Sequence, residues 1–565
     1  MGRRRGHGSR AEKEGELSIR PPELLEARVA WFCIAVSFAS PASGEMFVDV
    51  AAESGLEFRH DNGMTGERHF FEIMGPGSGL FDADGDGDLD AYLIQGAGEQ
   101  GDRLFRNDPD RGPHFTDVTD EVGLTAHGYG MGLAVSDIDG DGLTDIYVTN
   151  FGANQLWQRR LDDTYADITI DAGAGDDRWS TSAAFVDIDM DGLPDLFVGN
   201  YVDFSLASSK PCYSAAGVID YCSPLSFDPE PNRLLRNLGN GHFVDITISS
   251  GIAAAYYGAL GVIATDVDMD GFVDLYVAND GRPNLLWRNQ GDGHFIDDGL
   301  FSGTAVNGDG AAEASMGIHA ADFDGDGDED LFMTHIDGET NTLFRNEGEG
   351  LFTDDSFDAG IGLPSRGLTG FGVAWLDIDN DSWLDLLIAN GAVYIDEEQF
   401  RAGDPLPLRQ RNQLLRNVGG HRFVDVTDSA GKALGLLEVS RGVATGDIDD
   451  DGDADVLIAN NHGPSRLLQN QTLGSGWIGF QIIDQGGQAL MGSRLQLQLD
   501  DGRDVWRSVR TAASYCSSND PRILVGLGSS RVLGGTLLLV GGRTQPLANT
   551  SLVAGQYHTI TVAEP

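Results

Sequence analysis

Seven short stretches of this chain each bring at least four aspartates into nine residues, at positions 1, 3, 5 and 9. They read DADGDGDLD (Asp82, Asp84, Asp86, Asp90), DIDGDGLTD (Asp137, Asp139, Asp141, Asp145), DIDMDGLPD (Asp187, Asp189, Asp191, Asp195) and DVDMDGFVD (Asp266, Asp268, Asp270, Asp274). The other three are DFDGDGDED (Asp322, Asp324, Asp326, Asp330), DIDNDSWLD (Asp377, Asp379, Asp381, Asp385) and DIDDDGDAD (Asp447, Asp449, Asp451, Asp455). Carboxylates at positions 1, 3 and 5 converge on one point if the chain curls tightly. Glycine at position 6 permits that curl. Position 7 can offer its carbonyl, and Asp at position 9 closes the shell. Calcium takes six to eight oxygens at ~2.3–2.6 Å, whereas magnesium keeps several waters and suits such a cage poorly. Without a cation, carboxylates this close repel one another. The spacing therefore predicts up to seven Ca²⁺ ions, one per loop. The sixth loop departs, with Ser382 in place of glycine and Asn380 before Asp381, so its turn is expected to be strained.

An EF-hand loop also begins D-x-D-x-D-G, but it needs a carboxylate at position 12 on an exiting helix. Here position 12 is Leu93, Val148, Val198, Val277, Met333, Ile388 and Ile458, all apolar. The exits (AYLI, IYVT, LFVG, LYVA, LFMT, LLIA, VLIA) are β-rich and of strand length, and the segments entering the loops are strand-like too. Each loop thus joins two strands of a hairpin. A second block follows, N-x-L-[FWL]-x-N, a glycine turn, then F-x-D-[VI]-T, clearest from Asn232, Asn284 and Asn412. That is a second hairpin, giving four strands, A to D, per repeat. Seven four-stranded units predict a β-propeller. The seventh repeat lacks its last strand, and Phe47–Val50 ahead of the first repeat can supply it and remove an open edge.

The fold class expected is all-β: a seven-bladed propeller with calcium-binding hairpin loops over residues 46–473, and a small C-terminal β-sandwich over 474–565, docked beside the ring. Alternating runs such as Arg494–Leu499 mark the strands of that second domain. Residues 1–42 read as a signal-peptide region. Arginines precede an apolar run, Val29–Ala39, too short to span a bilayer, and small residues follow around Ala42. The stretch before Val29 is long and partly acidic for such a segment, which points to a start downstream of Met1. No other run approaches transmembrane length. A secreted, extracellular or periplasmic location follows, where Cys212 and Cys222, ten apart, would pair as a local disulfide, two free surface thiols being the alternative. Cys33 would leave with the signal, and Cys516 is expected to be a buried small hydrophobe.

With 89 acidic against 37 basic residues the net charge is −52, which repels nucleic acid. No G-x-S-x-G, H-E-x-x-H, P-loop or dinucleotide fingerprint is present, and the twelve histidines are scattered. His335 stands apart, because it replaces the Asn found after strand B in repeats 2, 3, 4, 6 and 7; a tolerated polar substitution is the plain reading.

The loops resemble the FG-GAP and VCBS-type calcium repeats of integrin α-like propellers. The run HFFEIMGPGSGLFDADGDGDLDAYLI, the second hairpin block and the C-terminal region are similar to the cartilage acidic protein and ASPIC/UnbV family. The resemblance spans roughly residues 46–560. It implies that positions 1, 3, 5 and 9 of each loop are the side-chain calcium ligands. The C-terminal match is partial: Val540-Gly541-Gly542 stands where the family commonly shows a Trp-Pro-x-Gly turn. The functional expectation is a secreted calcium-binding module for a protein or glycan. The alternatives are an extracellular enzyme, such as a polysaccharide-active one, built on the ring, or an accessory maturation or assembly factor. Two long insertions, Tyr201–Pro231 and Gly391–Arg411, both run from strand B to strand C. They must rise from the face opposite the calcium loops, where long loops on a rigid scaffold would form the ligand surface.

Overall fold

A computed structural model describes residues 45–563, apart from 99, 109–111, 215–216, 473–475 and 549–551. The expected signal region and Cys33 lie outside the described residues. Seven four-stranded antiparallel units follow one another, each in the order A-B-C-D. Their A strands are Ser78–Phe81, Gly130–Ser136, Ser180–Val186, Ala259–Thr265, Ile318–Ala321, Gly370–Leu376 and Ser440–Gly446. Each of these touches the next, and the last touches the first, so the sheets form a closed β-propeller. The A and B strands are almost wholly buried, which explains why they read as apolar runs rather than as alternating ones.

The seventh blade is closed by the N-terminal strand. Phe47–Asp49 pairs with Arg466–Asn470, Phe47 opposite Asn470 and Asp49 opposite Leu468. Arg466 clamps this seam through ion pairs to Asp49 (2.8 Å) and Glu438 (2.6 Å).

The C-terminal segment departs from the expectation that it would dock beside the ring. Two sheets, of three and four strands, enclose a core of Ile478, Phe480, Leu495, Leu497, Val525 and Leu537. They lie over the aspartate-loop face rather than at the side. From them a hairpin, Ala512–Ala513 and Ser517–Ser518, runs into the centre of the ring and pairs with the first blade's A strand. Ser514 exchanges backbone hydrogen bonds with Ile318 of blade 5, while the Cys516 carbonyl accepts from Leu133 N of blade 2 and Cys516 N donates to Ser182 Oγ of blade 3. Contacts to opposite sides of the ring place the hairpin on its axis. Glycines make room for it: a Cβ on Gly77 would stand 1.8 Å from the Cys516 carbonyl oxygen. Cys516 is buried, as expected, but as part of this plug.

The other end of the channel is covered by a short helical turn, Phe70–Ile73, and by the two insertions. Phe70 packs among Trp179, Tyr201, Phe204 and Phe227. Buried Arg441 stacks on Phe371 and donates to the carbonyls of Ile73, Gly391 and Ala392, tying the turn to the second insertion. Glu72 is buried here, its backbone carbonyl accepting from Asn62 and Asn461. The Cys212–Cys222 disulfide is present in the first insertion. Tyr213 is exposed, but Tyr221 is buried with its hydroxyl toward Glu72.

Candidate metal centre

Each aspartate loop is an A–B turn, and all seven are built alike. Position 4 adopts a left-handed backbone in every loop (Gly85, Gly140, Met190, Met269, Gly325, Asn380, Asp450), as does position 6. This double reversal folds the loop back on its first aspartate. The carboxylate at position 1 accepts the N–H of position 6 at 2.7–3.2 Å. The carboxylate at position 5 accepts the N–H of position 7 and sits at the outer rim.

Position 9 opens strand B and is buried in all seven loops. One of its oxygens accepts the N–H of position 2, at 2.9–3.3 Å. The other accepts the N–H of the last residue of strand C, at 2.6–2.8 Å. Burial pushes Asp90, Asp145, Asp195 and Asp274 up to about 8, and Asp330, Asp385 and Asp455 well above the usual range. Two N–H donors each do not offset that desolvation, so a carboxylate held there calls for a cation.

Positions 1, 3 and 9 converge in loops 2 to 5: Asp137, Asp139 and Asp145; Asp187, Asp189 and Asp195; Asp266, Asp268 and Asp274; Asp322, Asp324 and Asp330. In loop 1 the converging group is Asp82, Asp84 and Asp86. In each group one oxygen per residue lies within 4.8 Å of the others. Two ligands ~2.4 Å from one ion can stand no farther apart than that. The fit rests on a further observation. In loops 2, 3, 6 and 7 the Oδ1 atom of position 3 (Asp139, Asp189, Asp379, Asp449) is buried without a hydrogen-bond partner. An all-oxygen donor set with orphaned, inward carboxylate oxygens suits calcium.

A set of residues not anticipated from sequence orients position 3. The residue before the end of strand C reaches across to it. Arg106 Nε lies 2.5 Å from Asp84, Gln158 donates to Asp139 at 2.6 Å and Gln469 to Asp449 at 2.6 Å. Arg288 pairs with Asp268 and Arg416 with Asp379. Such outer partners fix ligand direction. The signal was present in the sequence as a recurrent Arg or Gln at one slot of strand C.

The asparagine that follows ties neighbouring blades. Its side-chain amide donates to the position-2 carbonyl of the preceding blade's loop at 2.8–3.1 Å, in blades 3 to 7 and, closing the ring, from Asn107 to Ile448. Blade 2 carries Arg159 there, and the Tyr165 hydroxyl reaches Ala83 O instead at 3.4 Å. Loop geometry and blade packing are thereby linked around the ring.

The C-terminal sheets sit on these loops. Arg494 donates to Gly327 O, Arg503 to Asp381 O, Arg507 to Ser382 O and Arg522 to Asp447 O. The Tyr557 hydroxyl donates to Asp447 Oδ2 at 2.9 Å, and Trp477 lies flat against Gly452. Loop 6 is held through the residues that depart from the repeat. Ser382 does hold the strained φ of 81°, and its hydroxyl donates to Gly526 O at 2.8 Å. Asn380 donates to Gly452 O and Asp453 of loop 7. The departure of loop 6 from the repeat is thus where the C-terminal sheets grip the ring.

With this geometry in view, comparison with known proteins is informative. The FG-GAP-like repeat model matches residues 82–148, 137–198, 266–333 and 322–388, two pairs of overlapping two-loop segments. Six of the seven aspartate loops thus fall within FG-GAP-like repeats. The chain is 24% identical over 310 residues to cartilage acidic protein 1 of Homo sapiens, covering 54% of this chain and 44% of that protein. It is 30% identical over 168 residues to the Mus musculus protein of that name, covering 28% and 25%. The chain thus matches less than half the length of these relatives. Among solved structures, an Agrocybe aegerita lectin recognising non-reducing terminal N-acetylglucosamine aligns with 76% of this chain and 98% of its own, at 16% identity and a TM-score of 0.38. No helix among the described residues is long and apolar enough to cross a membrane.

Proposed function

We propose that this FG-GAP propeller is a secreted, calcium-stabilised module that binds a protein or glycan ligand on the face opposite its aspartate loops. Calcium, up to seven ions, is held by the 28 loop aspartates and fixes the ring and the C-terminal sheets above it. Residues 46–473 are the ring and 474–565 the second domain. The disulfide and the likeness to cartilage acidic protein 1 fit an extracellular setting.

The observation that carries the binding reading is the meeting of the two insertions. The Ile395 N–H donates to Asp220 at 3.2 Å, joining them over the channel end. Beneath them lies a cavity of about 30 Å³, lined by Phe70, Met74, Cys222 and Tyr394 among others. Their outer surface exposes Leu206, Tyr213, Ile219 and Leu225 from the first insertion, and Tyr394 and Phe400 from the second. Large apolar side chains exposed on a stapled scaffold have the composition of a recognition surface. The Tyr213→Ala/Phe400→Ala variant should lose its ligands on protein and glycan arrays while keeping its calcium content and melting temperature. Unchanged array binding by that variant would contradict the reading.

A further inference from the structure

Blade 5 carries a second, chemically different cluster on the face opposite the calcium loops. In five other blades the residue that ends strand B is asparagine (Asn150, Asn200, Asn279, Asn390, Asn460). Each donates its side-chain amide to a carbonyl of its own B–C connection at 2.8–3.0 Å. Blade 5 has His335, which makes no such bond. Its side chain is 2% exposed, and both ring nitrogens are buried without a hydrogen-bond partner. Two such orphaned atoms in one imidazole are costly unless something else engages them.

What faces the ring is acidic on both sides. Glu313 Oε2, from the segment leading into the blade's A strand, lies 3.7 Å from Nε2. Glu339 Oε2, from the B–C turn, lies 3.9 Å from Nδ1 and is pinned by the Ala314 N–H at 2.9 Å. Both separations are too long for hydrogen bonds. Glu313 is itself held by Thr342 Oγ1 at 3.2 Å. Asp354 and Asp280 add negative charge nearby, and among the described residues neither glutamate pairs with a lysine or arginine.

We propose that His335 Nε2 and Glu313 form a divalent transition-metal site, of the Zn²⁺ class, with Glu339 orienting the imidazole from its Nδ1 side and water completing the shell. Two donors ~2.1 Å from one ion stand ~3.4–3.7 Å apart at tetrahedral to trigonal angles, which is the observed Nε2–Oε2 spacing. A carboxylate hydrogen-bonded to the far nitrogen of a ligating histidine is the usual supporting contact, and Glu339 Oε2, 3.9 Å from Nδ1, must close by about 1 Å on metal binding to make it. Imidazole selects this class over calcium, which takes oxygen donors, so the site is distinct in chemistry as well as position from the aspartate loops.

The test uses the full chain saturated with Ca²⁺, so that the loops are filled. Calorimetric titration with Zn²⁺ should show one further site, and Co²⁺ should give the visible absorption of a low-coordinate nitrogen-containing centre. His335→Asn, which restores the residue of the other blades, should abolish both signals. Glu313→Gln should weaken Zn²⁺ at least tenfold, and Glu339→Gln by ~10–100-fold. Circular dichroism and the calcium content of each variant report its folding. Absence of Zn²⁺ uptake by the Ca²⁺-saturated chain, or uptake unchanged in His335→Asn or in Glu313→Gln, would overturn the proposal.

Discussion

Gly526→Ala should unseat the C-terminal sheets from the ring and disturb one calcium loop in particular. Gly526 lies directly on loop 6. A Cβ there would stand 2.2 Å from Asp377 Oδ2, 2.4 Å from Asn380 Cα and 2.5 Å from the Asn380 carbonyl carbon. Two of those atoms are backbone, so no side-chain rotation relieves the clash. Overpacking of this kind costs ~1–3 kcal/mol. Moving the strand also breaks the Ser382 hydroxyl bond to Gly526 O, worth ~0.5–1.5 kcal/mol, and removes what offsets the left-handed Ser382 backbone. A loss of about 2–4 kcal/mol follows. On the proposed ligand set Asp377 is the first ligand of the loop, so calcium should also leave this site first. Urea unfolding in saturating Ca²⁺, with calcium counted by metal analysis, reads both quantities. Gly534→Ala is the control, since its Cβ meets only ordinary contact, 3.5 Å from Leu547 O in the same sheets. A Gly526→Ala midpoint equal to that of the control, with undiminished calcium, would refute the docking argument.

Two further perturbations test the ring. The position-9 aspartates have folded-state values raised by burial to about 8 in Asp90, Asp145, Asp195 and Asp274. In metal-free protein the folded state therefore binds more protons than the unfolded one between about pH 4 and 8, and stability should fall as pH rises, by up to ~1.4 kcal/mol per pH unit for each such group. With Ca²⁺ the slope should reverse, because protons then compete with the ion; melting curves across pH with and without Ca²⁺ sharing one slope would contradict this. Asn107→Ala removes the amide that joins blade 1 to Ile448 of blade 7 and leaves a buried carbonyl unpaired; a cost of ~1–3 kcal/mol in urea unfolding is expected, and no change would show that the closure strand alone seals the ring.

Much of this architecture is legible in the sequence because metal-ligand spacing is local. Nine residues are enough to read each loop, and the apolar residue at position 12 is enough to turn an EF-hand into a strand. The closing strand Phe47–Asp49 is legible through a deficit, the missing last strand of repeat seven. The central hairpin is not. Ala512–Ser518 reads AASYCSS, small and without periodicity, and its partners (Gly79, Leu133, Ser182, Ile318, Val373) lie far away in sequence. Small residues there are dictated by a channel that exists only once the ring has closed. For the same reason Ser382 reads as a weak calcium loop from its neighbours alone, whereas its hydroxyl answers to Gly526, 144 residues on. The Arg and Gln clamps on position 3 were within reach, since they recur at one slot, but their role appears only when strand C is laid beside the loop.

The most direct test of the account is calcium itself. Seven bound Ca²⁺ add fourteen positive charges and take the net charge from −52 to −38. An ion bound only by the folded state stabilises it by mass action. Chelated, desalted protein should melt far below the calcium-loaded protein, recover on adding Ca²⁺ but much less on adding Mg²⁺, and bind up to seven ions per chain by metal analysis. A metal-free protein whose melting curve matches the calcium-loaded one would contradict the claim that the aspartate loops are calcium sites holding the propeller together.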